Sequence, residues 1–554
     1  MNKTRWIMNI RARGLLLGWM LSLLWVASVT ASSEALLVDA AREGDRETVR
    51  SLLEEPADVN AAQADGATAL AWAVHRDDLE MVELLIDAGA NVNAANVYGV
   101  TPLLLACTNR GALIIERLLK AGADPSFAQE TGETPLMRCA SKGSREGSRS
   151  LLAQGAEVNA RTTERGQTAL MWAAAEGYPA IVGMLLEQGA NLHVRSNRLA
   201  LYTPRVPDPA EYSPQGEPVH QGFRETVYFP EFKGGFTALM FAAQGGDAES
   251  ARILLAAGAE VDEGTPEEGT PLVLASSNGR EKVALLLLEA GADPNATDCY
   301  GMTALHWALQ EGVVAMSGGH TATDPYWVHP NMTELVKGLL AHGANPNVRI
   351  AKDFMPYHVH RFARGAQQEP PQVSQAGATP FLMAAAGGDS AAMRTLVEGG
   401  GDPKIATFDG TTPLMVAAGL GVNLGMRGAS AATEEIRMKA LEAVQLAWNV
   451  GGDVNAIGPD GRRPVHGAAL YGLTEVIQLL AEKGADLDAQ DRWGQTAMSI
   501  ALADPDGLVW RHLPNKGQDS TFRRRRRKDE KTVELLLRLG AAPYIRTYRD
   551  LKGF

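Results

Sequence analysis

The sequence is poor in cysteine, in aromatic residues and in basic charge. Its 554 residues include only three cysteines, an odd number without the spacing of a disulfide framework, so we expect stability to come from packing. Aromatic residues make up 6%, which suits helices packed through small side chains. The net charge of −13 argues against nucleic acid or an anionic membrane as the main partner, because both attract a basic surface.

Long hydrophobic runs are absent beyond the first 31 residues. There, a basic stretch from Lys3 to Arg13 precedes an apolar run from Leu15 to Val29. The small residue Ala31 suits the site that a signal peptidase reads, so we predict cleavage after Ala31. The alternative is an uncleaved membrane anchor, although the run is short for a span of about 20 residues. No cysteine follows the run, so we expect no lipid anchor there. We expect export from a bacterium-like cell to the periplasm or the medium, with no membrane insertion after cleavage.

Motifs of the common enzyme classes are missing. The sequence has no phosphate loop, no His-Glu-x-x-His, no Gly-x-Ser-x-Gly and no Cys-x-x-Cys. The glycine-rich stretch Gly419–Gly425 has the wrong spacing for a dinucleotide fingerprint. We therefore expect a non-catalytic protein that uses no cofactor.

An internal period dominates the chain instead. The pattern Gly-x-Thr-(Pro/Ala)-Leu recurs most often at a spacing of 33 residues, and larger spacings read as one or two periods plus an insertion. Arg463 takes the place of the threonine in one copy. The threonines of the pattern are Thr68, Thr101, Thr134, Thr168, Thr237, Thr270, Thr303, Thr379, Thr412 and Thr496.

Each period reads as two helices and a turn. Threonine is a good N-cap, and proline fits the first helical turn that follows it. The small residues of Leu-x-x-Ala-Ala on one helical face allow close stacking. A glycine such as Gly177 ends the first helix, and a longer apolar helix such as Glu80–Ile86 follows it.

These marks resemble the ankyrin-repeat family over nearly the whole mature length. The most specific are the Gly-Ala-Asn-Val-Asn and Gly-Ala-Asp-Pro-Asn elements that begin at Gly89 and Gly291. The resemblance implies an all-α solenoid of about twelve helix-turn-helix repeats with β-hairpin or finger loops, and a concave face for protein recognition. The family's histidine in Thr-Pro-Leu-His is kept only at His306 and His466.

Insertions into the period define the predicted domain boundaries. Insertions in a solenoid go to loops, often on the binding side. The predicted segments are a signal peptide at 1–31, a capping repeat at 33–62, repeats two to five at 63–195, a finger at 196–233, repeats six to eight at 234–348 with an insertion at 313–330, a second finger at 349–376, repeats nine to eleven at 377–490 with an insertion at 421–433, and a C-terminal repeat at 491–554 with a basic insertion at 505–528.

Large aromatic residues indicate a candidate partner-binding surface. One position of the first helix carries Trp72, Trp172, Phe241 and Trp307, and in the ankyrin architecture this position looks toward the concave side. Aromatic side chains make good interface anchors. The alternative is that these rings pack on neighbouring repeats. The predicted fingers add Tyr228, Phe229 and Tyr357 as further candidates for contact with the partner, with packing on the repeats or disorder as alternatives.

Histidines and a basic run offer weaker alternatives. His358 and His360 would lie on one side of an extended segment, a spacing able to hold zinc or copper, but no acidic or cysteine ligand accompanies them. We therefore predict no metal site, and keep a metal- or small-ligand-binding accessory protein as the alternative function.

The run Arg523–Lys528 suits an acidic partner or a solvated loop. The preferred hypothesis is an exported scaffold that binds a partner protein through its concave face and fingers.

Overall fold

The computed structural model describes residues 36–54, 58–204, 228–316, 330–353, 374–420, 433–492, 494–502 and 529–543. The predicted signal peptide, the basic run and large parts of the predicted insertions lie outside these residues. The chain divides into two compact units. Unit 1 comprises residues 1–199 and 234–260, and unit 2 comprises residues 200–233 and 261–554.

Unit 1 consists of paired helices. Residues 36–43 are helical and precede the first complete helix. In the pairs that follow, a first helix beginning at the pattern threonine is joined to a second helix of nine residues. The helices are α1 (Arg46–Leu53), α2 (Ala69–His75), α3 (Leu79–Asp87), α4 (Pro102–Asn109), α5 (Ala112–Lys120), α6 (Pro135–Lys142), α7 (Arg145–Ala153), α8 (Ala169–Ala175), α9 (Pro179–Glu187), α10 (Ala238–Gly245) and α11 (Ala248–Ala256).

Within its described residues, unit 2 repeats this arrangement with one additional helix, α15, between the two helices of a pair. A 3₁₀ turn at Pro459–Gly461 precedes α21, and the strands β1 (Arg198–Pro204) and β2 (Tyr228–Gly234) form a two-stranded sheet in the first predicted finger. The helices are α12 (Pro271–Ser277), α13 (Glu281–Glu289), α14 (Ala304–Trp307), α15 (Gln310–Met316), α16 (Thr333–Ala341), α17 (Pro380–Gly387), α18 (Ser390–Glu398), α19 (Pro413–Ala417), α20 (Glu434–Asn449), α21 (Pro464–Tyr471), α22 (Thr474–Glu482), α23 (Ala497–Ala501) and α24 (Glu530–Arg538).

The pattern threonines begin the first helices as the sequence predicts. The Thr68 hydroxyl accepts a hydrogen bond from the Ala71 backbone N–H, and the Thr134 hydroxyl accepts one from Met137. Both threonines have extended backbone and therefore stand just outside the helix. The hydroxyl takes up one of the backbone donors that a helix start leaves without a partner. The repeating threonine thus sets where each first helix begins.

Small residues bring neighbouring first helices together. In unit 1, α2, α4, α6, α8 and α10 pack in sequence, and the second helices pack on one another in the same order. Ala73, Ala173 and Ala242, each five residues after its capping threonine, have no exposed surface. Their short side chains let the helix backbones approach closely, and this buried layer is the core of the unit.

Asparagines of the repeat motif link successive pairs. The Asn93 amide donates to the Gly122 carbonyl oxygen at 3.1 Å, and its side-chain oxygen accepts from the Asp124 N–H at 2.8 Å. Asn347 does the same in unit 2 with Gly400 and Asp402. Each amide satisfies two backbone groups of the next repeat, which explains why the motif keeps an asparagine there.

A disulfide bond corrects the expectation that the chain is stabilised by packing without disulfide bonds. Cys107 in α4 and Cys139 in α6 are bonded, with their Cα atoms 4.6 Å apart, while Cys299 is free and exposed. Cys107 stands six residues after its capping threonine and Cys139 stands five after its own. These two positions meet where one first helix stacks on the next. The contact depends on the stacking of two repeats, and no pattern within a single helix indicates it.

No helix within the described part of the chain is both long and apolar enough to cross a lipid bilayer.

Candidate protein-docking face

The aromatic residues singled out in the sequence share one place in the repeat, the fourth residue after the cap, here called the slot position. In unit 1 the slot residue is half-buried in every complete repeat, so part of each side chain remains open to solvent. We call these five residues the slot face of unit 1. They are Trp72, Leu105, Arg138, Trp172 and Phe241.

Intramolecular contacts hold the aromatic rings of the slot face in position. The Trp72 indole N–H donates to the Gln63 side-chain oxygen at 3.3 Å, and the Trp172 indole donates to Gln167 at 3.1 Å. Phe241 meets Phe236 edge to face, with ring centroids 5.6 Å apart. An aromatic ring fixed before binding loses little conformational entropy on contact with a partner. This arrangement is suited to anchoring an apolar side chain.

A charged pair interrupts the slot face at its middle. The Arg138 guanidinium lies 2.6 Å from a carboxylate oxygen of Glu133, whose side chain is nearly buried. Burial raises the pKa of Glu133 above its ordinary value, and the positive charge of Arg138 partly opposes that rise. The slot face therefore carries one charged side chain, Arg138, among side chains that are otherwise apolar.

Five of the six slot residues of unit 2 are covered, Gly467 among them. Leu274 and Met383 are each 2% exposed, Val416 is not exposed at all, and Trp307 is 9% exposed. At the last repeat, Ile500 is half-buried. The aromatic residue at this position in unit 2 is therefore part of the packed interior.

Trp307 is held there by a buried carboxylate. Its indole N–H donates to Asp298 at 2.9 Å, and Asp298 also accepts the backbone N–H groups of Tyr300 and Met302. Burial raises the pKa of Asp298, against the effect of these three hydrogen bonds. Trp307 thus satisfies a buried acceptor in addition to filling space.

The additional helix α15 accounts for the covering of Met383. α15 packs on α17, the first helix of the next repeat, and Gly312 lies so close to it that an added Cβ atom would stand 2.2 Å from the Met383 carbonyl oxygen. The Gln375 side chain donates to the Met316 carbonyl oxygen at 2.9 Å, at the end of α15. In unit 2, α15 therefore covers the slot position of α17, whereas the slot positions of unit 1 remain partly open to solvent.

Exposed apolar residues at the hairpin turns are a feature that the sequence analysis missed. Val97 and Tyr98 are 66% and 75% exposed in unit 1, and Phe408 is 61% exposed in unit 2. The next repeat carries Glu130 and Thr131 at the places of Val97 and Tyr98. A comparison of turn residues between repeats would have revealed these apolar side chains.

The finger residues of the predicted binding surface are placed only in part. Tyr228 and Phe229 lie in β2. Tyr357 lies outside the described residues.

The two histidines considered as metal ligands, His358 and His360, lie outside the described residues. His306, which the sequence assigns to the repeat motif, is described. His306 is buried, its Nδ1 accepts the Thr303 backbone N–H at 3.1 Å, and burial lowers its pKa to about 4. Within the described ranges, no group of three or more histidine, cysteine, aspartate or glutamate side chains is placed to hold a metal ion.

Comparison with known proteins identifies the repeat. The family description "Ankyrin repeats (3 copies)" matches residues 37–129, 109–196 and 239–350, and "Ankyrin repeat" matches residues 460–492. These matches cover more than half of the chain, and they confirm the all-α repeat solenoid that the 33-residue period predicts.

The chain is also similar to proteins of diverse roles. It is 28% identical over 290 residues to the E3 ubiquitin-protein ligase KEG of Arabidopsis thaliana, which is 51% of this chain but 16% of the ligase. It is 29% identical over 131 residues to the cyclin-dependent kinase 4 inhibitor B of Rattus norvegicus, covering 24% of this chain and 86% of the inhibitor. It is 39% identical over 101 residues to human ankyrin repeat domain-containing protein 53, covering 17% and 18%.

The shared part of these proteins is the repeat, and the chain spans only a small share of the ligase. Ankyrin repeats generally serve as protein-interaction modules, whatever the rest of the protein does. With its capped helix pairs, its asparagine links and the matches over more than half its length, this chain belongs to the ankyrin-repeat family.

Proposed function

We propose that the chain is a non-catalytic scaffold that binds a partner protein through the slot face of unit 1. The observation that carries the proposal is the run of five half-buried slot residues on successive first helices, with three aromatic rings held in place. Interfaces commonly combine aromatic anchors with arginine, and the slot face contains both.

Capture of the partner by variants of the full chain tests the proposal. Trp172→Ala removes an anchor at the slot face, and Trp448→Ala is a matched control. Trp448 is also half-buried and is fixed by Lys483, 3.8 Å above its ring, but it lies on the second helix α20. We expect proteins retained by the wild type and by Trp448→Ala to be lost with Trp172→Ala. Equal retention by all three chains would refute docking at the slot face.

We also propose that the chain acts outside the cytoplasm after removal of residues 1–31. The basic and apolar stretches of the N-terminal sequence support export. The Cys107–Cys139 disulfide supports it further, because such bonds persist mainly in oxidising compartments. Mass measurement of the chain recovered from the periplasm and from the medium tests this. A chain found only in the cytoplasm with residues 1–31 intact would contradict it.

A further inference from the structure

The Cys107–Cys139 bond lies on the two helices that carry the middle of the slot face. Leu105 is two residues before Cys107 on α4, and Arg138 directly precedes Cys139 on α6. The bond therefore ties together two successive slot residues of unit 1. Any change in the spacing of α4 and α6 changes the spacing of Leu105 and Arg138.

The surroundings of the two sulfur atoms are closely packed. Both cysteines have no exposed surface. A Cβ atom added to Gly147 of α7 would lie 2.9 Å from the Cys139 sulfur and 2.6 Å from a methyl carbon of Ile115. Two unbonded sulfur atoms must stand further apart than bonded ones, and this interior leaves little room for that separation. Reduction therefore forces α4 and α6 apart or leaves their contact strained.

We infer that the Cys107–Cys139 bond is a redox-dependent clasp that fixes the middle of the slot face. The inference rests on the proposed function, because it describes the regulation of the same face. With the bond closed, Leu105 and Arg138 are held at one spacing, and with both thiols reduced this part of the face is loosened.

The closing reaction is a thiol–disulfide exchange with a disulfide oxidant, of which oxidised glutathione is an example. The thiolate of one cysteine attacks a sulfur of the oxidant and releases one thiolate, which leaves a mixed disulfide. The thiolate of the other cysteine then attacks the protein sulfur of that mixed disulfide and releases the second thiolate. Two electrons pass to the oxidant, and the two cysteine protons end on the two released thiols. Because the sulfurs are buried once the repeats stack, oxidants and reductants reach them only when α4 and α6 separate or before these helices have stacked.

Hydrogen exchange of the full chain tests the clasp without need of the partner. A Cys299→Ala background removes the exposed thiol, so that only Cys107 and Cys139 contribute to the count of free thiols. One sample is refolded with oxidised glutathione and the other is refolded and kept in a phosphine reductant. We expect no free thiol in the oxidised sample and two in the reduced one, with amide exchange of α4 and α6 about tenfold faster or more on reduction. The amides of α14 and α17 in unit 2 should not respond.

A double variant, Cys107→Ala with Cys139→Ala, is the control, since the reductant should leave its exchange unchanged. Two free thiols in the folded sample after glutathione treatment, or equal protection of α4 and α6 in both redox states, would overturn the clasp.

The two proposals fail separately. If Trp172→Ala loses capture but hydrogen exchange does not depend on the redox state, docking at the slot face is supported and the clasp is refuted. If exchange depends on the redox state but Trp172→Ala still captures the partner, the bond is only structural and docking at the slot face is refuted.

Discussion

Unit 1 and unit 2 are built from the same capped helix pairs, but they differ in what lies on the slot position. In unit 1 the five slot residues are half-buried, whereas in unit 2 five of the six slot residues are buried. α15 packs on α17 and supplies part of this covering. The comparison shows that the same position of the repeat is open to solvent in one unit and covered in the other, because its exposure depends on what packs around it.

Replacing the two tryptophans one at a time tests this difference with the largest expected effect. Trp307→Ala removes a buried ring and leaves Asp298 without its indole donor, so we expect the free energy of unfolding to fall by about 3–5 kcal/mol. Trp172→Ala, from a half-buried site, should cost about 1–2 kcal/mol. Native-state hydrogen exchange of α14 and α8 gives the two values. Equal costs would mean that the two slot positions do not differ as described.

Acid should weaken unit 2 through His306. The pKa of this histidine is about 4 when folded, against an ordinary value of 6.5, so between these pH values the unfolded chain binds one more proton than the folded chain. The free energy of unfolding should therefore fall by about 3 kcal/mol as the pH falls from 6.5 to 4, and this contribution is complete above pH 6.5.

Exchange rates of the α14 amides measured across this pH range check the effect of His306. His306→Gln keeps an acceptor for the Thr303 N–H and does not titrate, so its dependence on pH should be flatter. The position of His306 is occupied in unit 1 by Met137 and Met171, and their helices should not share the acid response. An unaltered pH profile in His306→Gln would exclude this histidine as the cause.

Two helical glycines test the covering by α15 with an intermediate effect. Gly312→Ala places a Cβ atom against the α17 backbone and should destabilise unit 2 by about 2 kcal/mol. Gly183→Ala in α9 of unit 1 meets no atom within 4 Å and should stabilise its helix by up to about 1 kcal/mol. Exchange protection of α17 and α9 reports both changes. If Gly312→Ala were also stabilising, α15 would not be seated tightly on α17.

The smallest effect is expected at the hairpin turns. Tyr98 in unit 1 and Tyr300 in unit 2 occupy the same place, three residues before the capping threonine. Tyr98 is 75% exposed, so Tyr98→Ala should change the free energy of unfolding by less than about 0.5 kcal/mol. Tyr300 is half-buried with Lys352 5.1 Å from its ring centroid, and Tyr300→Ala should cost about 1 kcal/mol. Thermal melting curves of the two variants measure both losses of stability. A larger loss in Tyr98→Ala than in Tyr300→Ala would contradict the prediction.

Much of the fold could be predicted from the sequence, because its signals are local. Thr68 and Thr134 cap helices through bonds within three residues, and the alanines behind them face the core through helical periodicity. The positions of Trp172 and Trp307 on the first helix follow from the same count. Their different burial does not follow from that count, since it depends on how the surrounding residues pack around each ring.

The sequence by itself determined the period, the caps and the family, since the caps depend on residues a few positions apart and the period and the family on a residue pattern that recurs along the chain. The tertiary structure decided which slot positions remain open, and it decided that Cys107 and Cys139 meet. Both results come from the stacking of one helix on another. A contact between residues a whole repeat apart is fixed by the spacing of the helices, which no single repeat contains.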